Sequence, residues 1–306
     1  MVYDKTVANP TSQNVEEARE LYVEKGCGAI IAFGGGSAMD CAKAMVYFSG
    51  VPVTLVAIPT TSGSGSEVTD FAILTHNKVK HPLVDARLRP DGAILDSDLL
   101  KELPPALIAD SGFDVLAHAL EACVATDAGE MTDLLARESF SLAFANLPAS
   151  YAGNREVRLK IHRASTLAGL AFTQAGLGLC HAMSHALGGI YHIPHGRLNA
   201  ILLPSVISCN AHGGLHKYAQ MARAAGFCGS ADTVALRNLK NGLIRLRREL
   251  NLPENLMKAG IPPRRVWSDT PAIVEATLSD PCCVTNPIKV EDFLVRRILE
   301  EVTGRV

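Results

Sequence analysis

Residues 29–67 read AIIAFGGGSAMDCAKAMVYFSGVPVTLVAIPTTSGSGSE, and their order decides the fold class. Residues 29–33 are a short apolar run that suits a buried strand. Gly34-Gly35-Gly36-Ser37 turns the chain, and 37–48 return to helical character. A second strand follows over 51–58, rich in β-branched residues. It empties into a polar loop, Pro59-Thr60-Thr61-Ser62-Gly63-Ser64-Gly65-Ser66-Glu67. Strand–helix–strand alternation calls for a parallel sheet with helices on its faces. Both loops leave the carboxyl end of a strand, where open α/β sheets hold ligands. Glycines there let backbone approach a phosphate, and the free amides of a helix start offer an anion site.

Moving outward, 14–25 form an amphipathic helix with Val15, Ala18, Leu21 and Tyr22 on one face, stopped by Gly26. Further strands are expected at 71–74 and 93–95. After residue 103 the strand signals end. Helical patterns follow at 106–125, 132–144, 155–174, 215–225, 233–250 and 290–301, with Gly, Pro and Asn between them. The division falls at Pro104-Pro105, giving an α/β unit over 1–103 and an all-α unit over 104–306.

Composition removes several classes of function. The net charge is −2 over 306 residues, so no basic field calls for nucleic acid or an anionic membrane. Aromatic residues are only 5% of the chain, too few for base-stacking platforms. No apolar run approaches the ~18 residues of a spanning helix. MVYDKTVANPTSQN has neither a basic nor an apolar signal segment, and none of the eight cysteines forms a CxxC pair. The expectation is a cytoplasmic protein with reduced core thiols. Cys180, though beside His181, is expected to pack and not to act as a nucleophile, because helix neighbours point about 100° apart. Glu67 and Asp70 read as loop or cap residues, and His76, His81, His162, His212 and His216 as surface.

The sharpest chemical signal lies in the helical half. Asp114 and His118 in GFDVLAH are four residues apart and share a helix face. His181 and His185 repeat that spacing in CHAMSHALGG, and His195 follows in IPHG. Burying so many polar groups without a common partner is costly. Imidazoles with one carboxylate suit a borderline divalent metal, Fe²⁺ or Zn²⁺ alike.

Taken together and in this order, GGGSAMDCAKA, IPTTSGSGSEVT, GFDVLAHALEA and HAMSHALGGIYHIPHG resemble the iron-dependent (group III) alcohol dehydrogenase family. The resemblance runs from Asn9-Pro10-Thr11 to the DPCCVTNP stretch. It implies a Rossmann-like dinucleotide-binding α/β domain followed by an all-α metal-binding domain, with the site in the cleft between. It places the metal ligands at Asp114, His118, His181 and His195. The second histidine near the substrate falls on His185, which the resemblance makes the catalytic proton relay. Nucleotide contacts fall on Asn9, Gly35, Gly36, Ser37, Thr60, Thr61, Ser64, Thr69 and Lys80. The implied reaction is hydride transfer between a small primary alcohol and NAD, with NADP as the alternative cofactor and the metal as Lewis acid. The partners expected are a small-molecule alcohol or aldehyde and a second copy of the chain, as a homo-oligomer (dimer).

Two departures from the family pattern set further expectations. Relatives carry several dozen residues ahead of the ANPT segment, and many have an extra loop and helix between Ala44 and Val53. The nucleotide half is therefore expected to be incomplete, with metal binding intact, NAD affinity weak, and association through an unpaired sheet edge. A non-catalytic metal-binding relative is the second hypothesis. A lyase of the dehydroquinate synthase type is a third, disfavoured by the Asp-His-His-His set.

Overall fold

The computed structural model describes residues 1–76 and 79–304, with 79 and 80 described by backbone alone. Three strands, β1 (Ala29–Gly34), β2 (Thr54–Pro59) and β5 (Gly92–Ala93), form a parallel sheet in the order β1-β2-β5. Helix α2 (Gly36–Ser49) makes the crossover from β1 to β2. Register pairs Ala29 with Thr54 and Gly34 with Pro59, so the two polar loops leave the sheet side by side. Helix α1 (Ser12–Glu24) starts at a capping box, in which Thr11 and Asn14 satisfy each other's backbone amides. Apolar side chains of α2, including Met39, Ala42 and Val46, pack against Ala32, Leu55 and Ala57 of the sheet. The outer face of β1 leaves Ile31 and Phe33 exposed.

The expected strand over 71–74 exists but does not join that sheet. β3 (Phe71–His76) pairs antiparallel with β4 (Val79–Val84), an element the sequence reading did not contain. A segment carrying His81 and Pro82 lacks the apolar alternation that marks a strand, and pairing with β3 overrides that.

Among the described residues from Pro105 onward, regular structure is α-helical apart from a short 3-10 turn at Pro281–Cys283. α3 (Pro105–Val124) is the central helix: from Ile108 to Val124 only Ser111 escapes burial. Pro104 and Pro105 set its first turn. Around it pack α4 (Glu130–Tyr151), α5 (Arg158–Ala175), α6 (Leu179–Tyr191) and α7 (His195–Ala224), followed by α8 (Asp232–Glu249), α9 (Pro263–Leu278) and α10 (Asp292–Thr303). Helix α7 begins twenty residues earlier than the 215–225 pattern suggests and runs through Pro204. A proline inside a helix removes one backbone bond and normally reads as a break. Here Leu202, Leu203, Val206 and Ile207 are buried on both sides of it, and packing carries the helix across. Helix α9 starts at the Pro262-Pro263 pair, which separates it from α8 and sets its first turn. Among the described residues no helix is long and apolar enough to cross a membrane.

Candidate active site

Helix α3 supplies Asp114 and His118 on one face, α6 supplies His181 and His185, and the first residue of α7 is His195. Asp114 Oδ1 lies 3.7 Å from His181 Nε2, 3.5 Å from His195 Nε2 and 3.9 Å from His118 Nδ1. Asp114, His181 and His195 offer three donor atoms within 4.8 Å of one another. His118 lies beside this trio, stacked between the rings of His181 at 4.4 Å and Phe172 at 4.5 Å. Its Nδ1 is buried with no hydrogen-bond partner, a polar atom left without a use inside the protein. These residues fit a divalent cation: one carboxylate, three imidazoles, and an orphaned buried nitrogen. The His195 side chain is 34% exposed, against 1% for His181, so the centre opens on the α7 side.

Burial shapes the charge of the group. It pushes His118 down to about 3 and His195 well below the ordinary imidazole range, which keeps both rings neutral and able to ligate. Burial alone would raise the Asp114 carboxyl, but His118, His195 and His181 hold it well below the usual range. His181 is opposed by burial too, yet Asp114 and Glu121 raise it to about 9.

Three contributors were not legible to the sequence reading. Glu121, 1% exposed, places Oε2 2.6 Å from His181 Nδ1. Asn199 donates from Nδ2 to Asp114 Oδ1 at 2.8 Å, and its own Oδ1 accepts from Ser184 Oγ at 2.5 Å. Asp280 Oδ2 holds His185 Nδ1 at 2.8 Å. A signal did exist for Glu121: Asp114, His118 and Glu121 fall at i, i+4 and i+7 of an otherwise apolar helix. Cys180 is fully buried, with its Sγ 3.5 Å from Asn199 Oδ1. Burial holds its thiol well above the ordinary range, which suits packing and not nucleophilic attack.

The two polar loops meet in front of the sheet. A Cβ on Gly35 would lie 3.3 Å from Thr61, and one on Gly36 would lie 3.3 Å from Ser64. Thr60 N donates to Gly34 O at 2.8 Å, and Asn9 N, in left-handed backbone, donates to Ser37 Oγ at 3.3 Å. Asn9, Gly35, Gly36, Ser37, Thr60, Thr61 and Ser64 thus belong to one loop cluster. Thr69 is different: it is buried, and its hydroxyl accepts from Lys43 Nζ at 2.8 Å. The Lys80 side chain lies outside the described residues.

The second loop docks on α3, which carries two of the proposed metal ligands, and on α5 beside it. Gly63 packs on Ser111 of α3, and Gly65 sits so close to Gly169 of α5 that a Cβ would approach its Cα to 2.8 Å. Ser62 Oγ bonds His162 Nδ1 at 2.9 Å, and Thr166 Oγ1 donates to Glu67 Oε1 at 2.6 Å. His162 is therefore a buried docking contact, contrary to the expected surface histidine, and Glu67, a loop residue as expected, is buried with it. The loop's polar partners hide them from a hydropathy reading.

The family profile "Iron-containing alcohol dehydrogenase" matches residues 1–97, and "Fe-containing alcohol dehydrogenase family, C-terminal" matches 108–303. The chain is 41% identical to the 1-propanol dehydrogenase PduQ of Citrobacter freundii, covering 98% of this chain and 83% of that protein. It is 36% identical to the NADPH-dependent butanol dehydrogenase of Clostridium saccharobutylicum, over 95% of this chain and 81% of that one. A solved 1,3-propanediol oxidoreductase superposes with a TM-score of 0.94 at 32% identity, covering 99% of this chain and 84% of its own. The sulfoacetaldehyde reductase of Bifidobacterium kashiwanohense, solved in complex with NAD+, superposes with a TM-score of 0.89 at 27% identity, covering 99% and 84%.

Proposed function

The chain belongs to the iron-containing alcohol dehydrogenase family and is an alcohol–aldehyde oxidoreductase, and on that footing we propose its substrate, ligands and cofactor. The substrate is a short primary alcohol of propan-1-ol size, or its aldehyde. Asp114, His118, His181 and His195 hold one divalent cation, Fe²⁺ or Zn²⁺. Residues 1–103 bind the nicotinamide cofactor, and 104–306 bind metal and substrate. The observation that carries this reading is the meeting of two features on helix α3. The loop Pro59–Glu67 docks on α3 and α5, and Asp114 and His118 project from α3 a turn or two away.

A bound cation supplies Lewis acidity toward the substrate oxygen. The chain's own residues do the rest. Gly35, Gly36 and Ser37 offer amides at the start of α2 to the cofactor's phosphates, and Thr60, Thr61 and Ser64 face them across the turn. The Phe172 ring, stacked on His118, puts an apolar wall beside the ligands and helps to keep water out. His185 is committed through Nδ1 to Asp280, which leaves Nε2 to accept the proton released from the alcohol hydroxyl. Its ring stacks on His195 at 5.1 Å, at the open side of the centre. We assign NAD as the cofactor, in line with the NAD+ complex of the sulfoacetaldehyde reductase. The NADPH-dependent butanol dehydrogenase is the contrary precedent. Enzyme loaded with Fe²⁺ or Zn²⁺ and given a panel of short alcohols with NAD+ or NADP+ tests these assignments. Turnover on propan-1-ol with NAD+ supports them, whereas preference for NADP+ or for secondary alcohols refutes them. The compartment assigned is the cytoplasm, where the eight cysteines, all free among the described residues, stay reduced.

A further inference from the structure

We propose that Glu121 is the positioning residue of the metal centre, fixing both the start of helix α6 and the ring of His181 with one buried carboxylate. The inference rests on the assignment of His181 as a metal ligand. Glu121 reaches from α3 to the N-terminus of α6, where four backbone amides lack helical partners. Its Oε1 accepts Cys180 N at 2.6 Å, and its Oε2 accepts Gly178 N at 3.0 Å and His181 N at 3.3 Å. The same Oε2 lies 2.6 Å from His181 Nδ1. Space for this is provided by Gly178, where a Cβ would lie 2.9 Å from Oε1.

A carboxylate only accepts hydrogen bonds, so the ring nitrogen facing it carries the proton. In neutral His181 that leaves the lone pair on Nε2, the nitrogen turned toward Asp114 Oδ1 at 3.7 Å. One side chain thereby selects the ligating tautomer and anchors the backbone of the residue that bears it. Carboxylates behind ligating imidazoles orient the ring and raise its basicity. Asn199 complements it from the other side by holding Asp114, and neither residue is needed for the ligand count.

Glu121→Gln separates positioning from mere support. Its amide oxygen can still accept Cys180 N, but the NH₂ group in place of Oε2 is a donor, set against Gly178 N, His181 N and His181 Nδ1. With that donor turned to Nδ1, the His181 proton shifts to Nε2. Chelator competition with Zn²⁺ on the full chain should show metal affinity falling by roughly 10–100-fold. The circular dichroism of the metal-free protein and its NAD+ affinity should stay as in wild type. Replacing Zn²⁺ by Co²⁺ should give an altered visible spectrum in the variant. A folded Glu121→Gln protein that binds Zn²⁺ as tightly as wild type overturns the proposal. If the variant does not fold, the zinc-loaded wild-type protein decides by NMR of ¹⁵N-labelled histidines, with His181 assigned from His181→Gln. Protonation at Nδ1 upholds the proposal, and protonation at Nε2 overturns it. A wild-type chain that takes up no stoichiometric Zn²⁺ fails the metal-centre assignment itself, and this proposal with it.

Discussion

Gly196 occupies a point where no side chain fits. A Cβ there would come within 1.9 Å of Asp110 O on α3, and it would press on Asp114 at 3.2 Å. The glycine lets α7 touch α3 directly behind His195, and Arg197 locks the contact by pairing with Asp110 at 3.0 and 2.9 Å. Gly196→Ala should therefore force the helices apart and move His195. Overpacking of this kind typically costs ~1–3 kcal/mol, and a clash with backbone belongs at the upper end. Thermal denaturation together with metal analysis checks this: a lower melting temperature and reduced bound metal are expected, and wild-type values for both would refute the contact's importance. His162 gives a second test at this scale. Burial lowers its imidazole to about 4, so the folded chain holds it neutral against Ser62. The unfolded chain binds the extra proton between about pH 6.5 and 4. Stability from this residue is thus complete above about pH 6.5 and is lost as pH falls toward 4. The loss is on the order of 2–3 kcal/mol. His162→Gln should flatten the slope of unfolding free energy over that range, and an unchanged slope would exclude the histidine as its source.

At the scale of elements, the seam between the loop Pro59–Glu67 and helix α5 is made by two glycines in near contact, Gly65 and Gly169. Gly169→Ala should lift the loop and weaken nicotinamide binding several-fold while leaving metal content intact. Titration with NAD+ and metal analysis of one sample test this, and equal loss of both would contradict a seam specific to the cofactor. The strand–glycine–helix order of 29–48 was readable because each element's local preference agrees with its place in the fold. So were the i, i+4 pairs on α3 and α6. Helix α7 was readable only in its last third, since Pro204 breaks the pattern that its packing restores. Strand β4 was missed because its stability lies in pairing with β3. Glu121 and Asp280 were missed for another reason. The i, i+7 spacing put Glu121 on the ligand face of α3, but its partners, like that of Asp280, lie on α6 and are far away in the linear sequence.

At the scale of the whole molecule, the centre is held where α3, α6 and α7 converge, so a bound cation ties three helices of one core together. A ligand that binds only the folded state stabilises it by mass action, by about 4 kcal/mol at a thousand times its dissociation constant. Removing metal with a chelator should lower the melting temperature, and adding Fe²⁺ or Zn²⁺ should restore it; indifference to the chelator would mean that the helices need no cation. Four ligands from three helices form the central claim, and anomalous diffraction from crystals grown with Fe²⁺ or Zn²⁺ tests it most directly. The expected result is one peak within ~2.0–2.2 Å of donor atoms of Asp114, His118, His181 and His195. A peak displaced to the neighbouring His185–Asp280–Cys282 group, or one that leaves His118 out of reach, would contradict it.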